Sequence, residues 1–204
     1  MLTFFKSKPI LKDLIPDNHI DIHSHLLPGI DDGAKNFGDT LRLTQALQKI
    51  GISEFITTPH IIQHVWDNTH EQILEKKATT VLELEKNNIT VPFNAAAEYL
   101  MDDQFVQLFQ SHNLLTLKDN YVLVEMSYIN PPIQLYSILF YLQVAGYIPV
   151  LAHPERYLFY HNNFNEYLKL KRAGCLFQLN LLSVVGYYGA AITKIADQLL
   201  QKGM

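Results

Sequence analysis

The sequence predicts an α/β fold in which parallel strands alternate with helices. Strand-like segments begin near residues 19, 54, 89, 121, 147 and 175, and a helix-like segment follows each of them. Several of these helices are followed by glycine, the residue that most often ends a helix. The segment at residues 121–126 is apolar apart from Glu125, as expected for a strand buried on both faces. Such alternation indicates a parallel sheet with right-handed crossovers.

The first half of the chain contains three of these strand–helix units. Apolar residues at helical spacing predict a helix that ends before Gly51, and Thr69 with Gln72 forms a capping box at the start of the next helix. The predicted elements are, in order, strand 19–23, helix 37–50, strand 54–58, helix 69–88, strand 89–95 and helix 102–111.

The second half repeats the pattern with more apolar strands. Its longest uncharged stretch is nearly long enough to span a bilayer, but Gln143, Gly146 and Pro149 interrupt it, so we interpret it as a buried helix and a buried strand. A further strand is then due beyond Met204. The predicted elements are strand 121–126, helix 133–145, strand 147–152, helix 163–173, strand 175–180 and helix 189–202.

Composition narrows the classes of function. The 204 residues carry 16 basic and 20 acidic side chains, a formal net charge of −4, so nucleic acid is not an expected partner. The N-terminus has no signal-peptide pattern, and we expect no membrane insertion. The single cysteine, Cys175, excludes an intrachain disulfide and fits a reducing compartment, so we expect a cytoplasmic protein.

The segment that follows the first predicted strand has a metal-ligand pattern. Side chains two residues apart in an extended segment lie on the same face, so the imidazoles of His23 and His25 can converge on one ion. A Pro-Gly turn follows and allows the chain to bring Asp31 or Asp32 back to the same place.

More polar residues stand at or just after the carboxyl ends of the predicted strands. Because these ends meet at one edge of a parallel barrel, the side chains are expected to converge there. Glu125 is the most informative of them, since a carboxylate in an apolar strand is costly to bury unless it faces a cation. The residues are His23, His25, His60, Glu98, Glu125, His153 and Asn180.

The chemistry of these side chains predicts a metal centre that hydrolyses phosphate esters. Imidazoles and carboxylates without cysteine suit Mn, Fe or Zn, and there are enough of them for two or three ions with shared carboxylates. Such clusters activate water and hold the oxygens of a phosphoryl group. Arg156 can bind the phosphate through its guanidinium, the alternative being a surface ion pair with Glu155 or Glu166.

Together these motifs resemble the PHP (polymerase and histidinol phosphatase) superfamily. Within it they are most similar to the bacterial manganese-dependent protein-tyrosine phosphatases of capsule and exopolysaccharide gene clusters. The likeness covers nearly the whole chain. It is carried, in chain order, by Asp-Ile-His-Ser-His-Leu-Leu-Pro-Gly-Ile-Asp-Asp-Gly-Ala-Lys, Thr-Thr-Pro-His, Ala-Ala-Glu-Tyr, Val-Leu-Val-Glu-Met and His-Pro-Glu-Arg-Tyr.

The resemblance implies a distorted (β/α)7 TIM-like barrel with three metal ions, expected to be manganese with Fe or Zn as alternatives. It implies that Arg156 is the catalytic arginine that binds the substrate phosphate. A metal-bound hydroxide would attack phosphorus, without a cysteine nucleophile. One ion would be bound by His23 and His25, a second by Asp32 and His60 with Glu98 bridging, and the third by Glu125 and His153.

The chain departs from the family pattern in two places. Ile61 stands where many relatives have a second histidine, and the Asp-x-His motif of the last family strand is absent. We therefore expect residues 1–204 to form a single barrel domain that is incomplete at its C-terminus, without the seventh strand.

Three hypotheses about function follow. The first is a phosphatase of phosphotyrosine in proteins, whose expected substrate is a bacterial tyrosine kinase that regulates capsular or exopolysaccharide synthesis. The second is a phosphoesterase for a small metabolite such as histidinol phosphate. The third is an inactive truncated barrel that only binds a partner. A homo-oligomer is left open, and the aromatic residues near the predicted site, Tyr157, Tyr187 and Tyr188 among them, are expected mostly in the core.

Overall fold

The computed structural model describes residues 10–204, so the expectation about the extreme N-terminus lies outside the described residues. The strands are β1 (His19–Asp21), β2 (Ile52–Thr57), β3 (His60–Ile61), β4 (Phe93–Ala95), β5 (Glu98–Leu100), β6 (Tyr121–Glu125), β7 (Ile148–Ala152) and β8 (Leu176–Gln178). The α-helices are α1 (Leu11–Leu14), α2 (Phe37–Gln48), α3 (His70–Lys86), α4 (Asp103–Gln110), α5 (Leu135–Val144), α6 (Asn165–Arg172), α7 (Leu181–Val184) and α8 (Ala190–Gln201).

The predicted helix starts and stops agree with the structure. The capping box at α3 is formed, because Thr69 Oγ1 accepts from the backbone N–H of Gln72 and Oε1 of Gln72 accepts from the backbone N–H of Thr69 at 2.9 Å. After α2, Gly51 has a φ of 112°, which lies in the region that favours glycine. Sequence therefore determines these boundaries locally.

The strands form two parallel sheets, whereas the sequence predicted one. The strand orders are β1-β2-β4 and β3-β5-β6-β7-β8, and every named pair is parallel. Among residues 10–204 the sheets do not close on each other. The α/β class is therefore confirmed, the closed (β/α)7 barrel is not, and a single domain over residues 1–204 stays a prediction.

The step from one sheet to the other occurs at Thr58–Pro59. Proline has no amide hydrogen, so the ladder of β2 cannot continue through it. The carbonyl of Pro59 still accepts from the N–H of Glu98 at 3.0 Å, and the carbonyl of Thr57 accepts from the N–H of Ala96 at 2.9 Å. These bonds start the short strands β3 and β5 side by side, which the sequence prediction missed.

Most of the hydrophobic core lies between the sheets and the helices. Its largest fully buried side chains include Phe55, Leu139 and Tyr167. Leu123 forms a second, small cluster with Val150 and Ala152 on neighbouring strands β6 and β7. Among residues 10–204, no helix is long and apolar enough to cross a membrane.

Candidate metal centre

The predicted polar residues converge where the strands of both sheets end or begin. His23 and His25 follow β1, and His153 follows β7. His60 and Glu98 open the short strands β3 and β5, where they are direct partners in the parallel register. The change of sheet at Pro59 therefore brings His60 next to Glu98, although the two residues are far apart in sequence.

Four imidazole nitrogens surround the carboxylate of Glu98, which is fully buried. Its Oε2 lies 3.1 Å from Nε2 of His23, 3.4 Å from Nε2 of His25 and 3.3 Å from Nδ1 of His60. Its Oε1 lies 3.1 Å from Nε2 of His153. Glu98 is thus the geometric centre of the cluster.

Glu125 supplies a second buried carboxylate at the end of β6. Its Oε1 lies 3.0 Å from Nδ1 of His60, and its Oε2 lies 3.9 Å from Nε2 of His153. The family resemblance groups Glu125 with His153, whereas the structure brings it closer to His60. Imidazole nitrogens therefore lie next to this buried carboxylate, and the expectation that it faces a cation stays a prediction.

The acidic loop folds back on two of the histidines through its two aspartates, which differ in exposure. Asp31 is buried and its Oδ2 accepts a 2.7 Å hydrogen bond from Nδ1 of His25. The exposed Asp32 has its Oδ1 3.7 Å from Nε2 of His60. A Cβ on Gly33 would lie 2.2 Å from the carbonyl oxygen of His25, so only glycine permits this close approach.

Two residues outside the predicted ligand set orient the histidines. Asp31 holds Nδ1 of His25, and Oε1 of Gln178 accepts from Nδ1 of His23. The same amide oxygen of Gln178 accepts from the backbone N–H of His153 at 3.4 Å. Histidines that bind metal commonly donate their other ring nitrogen to such a partner, so the position of Gln178 at the end of β8 was a usable signal.

Burial disfavours the charged forms of His25 and Glu98, but the opposite charges around them outweigh this effect. Burial lowers the pKa of His25, whereas the hydrogen bond with Asp31 and the charge of Glu98 raise it to about 10. Burial raises the pKa of Glu98, whereas the charge of His23 and the hydrogen bond with His153 hold it well below its usual range. A cation bound at these nitrogens must therefore displace protons.

The side chains that are present fit one or more metal ions. Oε2 of Glu98 and Nδ1 of His60 are buried and have no hydrogen-bond partner among residues 10–204, although they lie close to each other. Imidazole and carboxylate ligands suit Mn, Fe or Zn. Within each of three groups the candidate ligand atoms lie no more than 4.8 Å apart: His23, Glu98 and His153; His25, His60 and Glu98; and His25, Asp31 and Asp32.

Arg156 lies beside this cluster in a pocket of about 330 Å³. The pocket is lined by the four histidines together with Asp32, Glu98, Tyr128, Arg156, Asn180 and Tyr188. Asn180 stands at this edge as predicted, where its Oδ1 caps α7 by accepting from the N–H of Leu182. The aromatic residues that were expected mostly in the core differ in position. Tyr157 is in the core, whereas Tyr188 lines the pocket.

The loop that carries His153 and Arg156 has an unusual backbone conformation and is held in place by a buried carboxylate. His153 adopts a φ of 36°, in the left-handed region, and a 3₁₀ turn from Pro154 to Arg156 follows it. Between them, the carboxylate of Glu155 is fully buried and accepts from the N–H of Asn180 at 2.9 Å and the hydroxyl of Ser183 at 2.7 Å. These bonds fix the loop to the start of α7.

Comparisons with known proteins identify the family of this chain. Residues 19–204 match the family described as capsular polysaccharide synthesis, CpsB/CapC. The tyrosine-protein phosphatase YwqE of Bacillus subtilis is 30% identical over 186 residues, which cover 91% of this chain and 73% of that protein. The putative tyrosine-protein phosphatase CapC of Staphylococcus aureus is 25% identical with the same coverage.

The fold is also similar to a solved structure. The crystal structures of YwqE from Bacillus subtilis and CpsB from Streptococcus pneumoniae, described as unique metal-dependent tyrosine phosphatases, include a chain that matches with a TM-score of 0.84 and 30% identity. The match covers 90% of this chain and 74% of that chain.

Proposed function

The chain belongs to the CpsB/CapC family of capsular polysaccharide synthesis, and we propose that it is a metal-dependent phosphatase of phosphotyrosine in proteins. The observation that carries this proposal is the buried carboxylate of Glu98, which faces four imidazole nitrogens within 3.4 Å at the floor of the pocket that contains Arg156. A cluster of this kind is more than the fold requires, since a buried carboxylate needs far fewer partners.

The proposed ligands are the seven residues predicted from the sequence, with Glu98 at the centre of the group. When bound, the ions lower the pKa of water and neutralise charge on the phosphate oxygens. The orienting bonds of Asp31 and Gln178 support this assignment, because they leave the Nε2 atoms of His25 and His23 facing Glu98. The ligands are His23, His25, Asp32, His60, Glu98, Glu125 and His153.

Arg156 is the proposed phosphate-binding and catalytic arginine. Arg156 lines the same pocket as most of the proposed metal ligands. The alternative ion pairs are not formed: Glu155 accepts from Asn180 and Ser183, and Glu166 pairs with Lys169 at 2.7 Å. The guanidinium donors of Arg156 are thus available for phosphate oxygens.

A cysteine nucleophile is not part of the proposed mechanism. Cys175 is buried, precedes β8 and is not among the residues that line the pocket. Burial raises the pKa of its thiol to about 12, so the thiolate needed for attack is scarce at neutral pH.

Three finer points belong to this proposal. The expected metal is manganese, in two or three ions, and the expected substrate is a tyrosine kinase that regulates polysaccharide synthesis. Both follow from the family resemblance, and the imidazole and carboxylate ligands are compatible with manganese. A cytoplasmic location stays a prediction.

The test combines metal content with substrate choice. The protein is supplied with Mn, its metal content is measured by elemental mass spectrometry, and phosphate release is followed from a phosphotyrosine peptide and from histidinol phosphate. We expect two to three ions per chain. We also expect that the phosphotyrosine peptide releases phosphate, that a chelator stops this release, and that added Mn restores it. Release that persists after metal removal contradicts the proposal, and a strong preference for histidinol phosphate favours a metabolite phosphatase.

A further inference from the structure

The guanidinium of Arg156 is held by aromatic rings instead of by a carboxylate. Among residues 10–204, no carboxylate lies within ion-pair distance of it. Its Cζ lies 4.9 Å from the centroid of the Tyr128 ring and 4.4 Å from that of the Tyr188 ring. Both distances suit a cation–π interaction, which positions the cation without consuming its hydrogen-bond donors.

The two rings come from different parts of the chain and each is fixed by its own neighbours. Tyr128, in the loop after β6, stacks on the ring of His153 with centroids 5.5 Å apart and an interplanar angle of 20°. Its hydroxyl lies 3.4 Å from Nε2 of His153. The hydroxyl of Tyr188, in the segment between α7 and α8, accepts from the side-chain amide of Asn180 at 3.4 Å. Neither ring therefore depends on Arg156 alone for its position.

Both rings also line the pocket above the metal ligands. Tyr128 and Tyr188 share the pocket of about 330 Å³ with His23, His153 and Arg156. Tyr128 is 47% exposed, so its ring reaches from the buried His153 to the surface. A phosphate bound by Arg156 at the metal cluster thus has its ester group beside aromatic surface, and aromatic rings pair favourably with one another.

We propose that Tyr128 and Tyr188 form an aromatic clamp, which positions the guanidinium of Arg156 and contacts the aromatic ring of the substrate, so that the site prefers aryl to alkyl phosphate esters. This inference rests on the proposed phosphatase function, and it names the feature of phosphotyrosine that the site recognises. Phosphoserine and phosphothreonine lack the ring and make no equivalent contact.

The test uses two phosphonates that differ only in this feature. Binding of phenylphosphonate and of methylphosphonate to the Mn-loaded protein is measured by calorimetry, and the ratio of the two dissociation constants is the readout. We expect the wild-type protein to prefer phenylphosphonate by about tenfold, equivalent to about 1.4 kcal/mol. Y188L and Y128L should each reduce this ratio at least threefold, whereas Y188F, which keeps the ring, should retain it.

Tyr141→Leu is the matched control, because Tyr141 is an exposed tyrosine on α5 outside this pocket. Its ratio should equal the wild-type ratio. A wild-type protein without preference for the aryl ligand overturns the clamp, and so does a ratio that Y128L and Y188L leave unchanged. If the preference is present but phosphotyrosine peptide is not hydrolysed, the proposed function fails while the clamp stands.

Discussion

Glu98 and Glu155 are both fully buried carboxylates, yet their surroundings have little in common. Glu98 faces four imidazole nitrogens at 3.1 to 3.4 Å. Glu155 accepts from two neutral donors, the backbone N–H of Asn180 and the hydroxyl of Ser183. Burial alone therefore does not distinguish a chemical role from a structural one, whereas the identity of the partners does.

The difference follows from what each neighbourhood can hold. The neutral donors at Glu155 both bond its Oε1 and fix the loop that carries it, which is a structural role. Imidazoles that are too numerous to hydrogen-bond one carboxylate leave nitrogen atoms available for a cation. Nδ1 of His60 is such an atom, because it lies near two carboxylates but makes no hydrogen bond within residues 10–204. We therefore expect that neutralising a buried carboxylate weakens metal binding more strongly when that carboxylate faces more imidazoles.

The largest effect is expected for E98Q. The amide removes the negative charge shared by four imidazoles and should abolish metal binding. We expect kcat/KM to fall on the order of 10³-fold or more, because loss of even an outer partner of a metal ligand costs about 10–100-fold. Metal content and phosphate release are measured together. E85Q, at an exposed glutamate on α3, is the control and should behave as wild type. Normal metal content in E98Q would contradict the difference in role between Glu98 and Glu155.

D31N is expected to have an intermediate effect, since Asp31 faces one imidazole, that of His25, and also accepts from the backbone N–H groups of Gly33 and His60. We expect metal affinity to fall about 10–100-fold through loss of the orienting bond. The measurement is a Mn titration. D39N, which removes a nearby carboxylate paired with Arg42, should leave the affinity unchanged. An equal loss in both variants would rule out the orienting role of Asp31.

E155Q should affect stability instead of metal binding. One acceptor of Glu155 bonds Asn180 and Ser183, and the weaker amide acceptor should cost about 1–3 kcal/mol of unfolding free energy. Urea unfolding measures the loss, and elemental analysis should find the metal content of the wild type. Loss of metal without loss of stability would place Glu155 in the same class as Glu98.

The smallest effect is expected at Cys175, a buried ionisable group in an apolar environment. With its pKa raised to about 12, only about one thiol in 10⁴ is ionised at pH 8. Iodoacetamide at pH 8 should therefore leave phosphate release unchanged over an hour, with mass spectrometry to follow alkylation. Rapid inactivation that parallels modification of Cys175 would contradict a mechanism without a cysteine nucleophile.

The sequence predicts the fold wherever the signal is local. The capping box at Thr69 and Gln72 and the helix end at Gly51 depend on neighbouring residues, and both are found in the structure. The sequence did not predict β3 and β5, because strands of two or three residues are too short to have a recognisable period. Their pairing depends on Pro59, whose effect on the sheet is visible only when β2 and β4 are in place.

The site was predictable as a set of residues but not as an arrangement. Ligand types and strand ends identified His60, Glu98 and Glu125, and the structure brings them together. Which aspartate turns toward His25 was left open, because the answer depends on the close packing of Gly33 against His25. Contacts of this kind depend on the three-dimensional fold, so no periodic pattern in the sequence predicts them.

His153 shows how far fold and chemistry can disagree at one position. A side chain at a φ of 36° costs on the order of 1–3 kcal/mol, which glycine avoids. The backbone thus favours glycine where the proposed metal site uses an imidazole. A library of variants at residue 153 that is screened for heat resistance alone should be enriched in glycine. The same library screened for phosphate release should exclude glycine, so the two selections favour different residues at this one position.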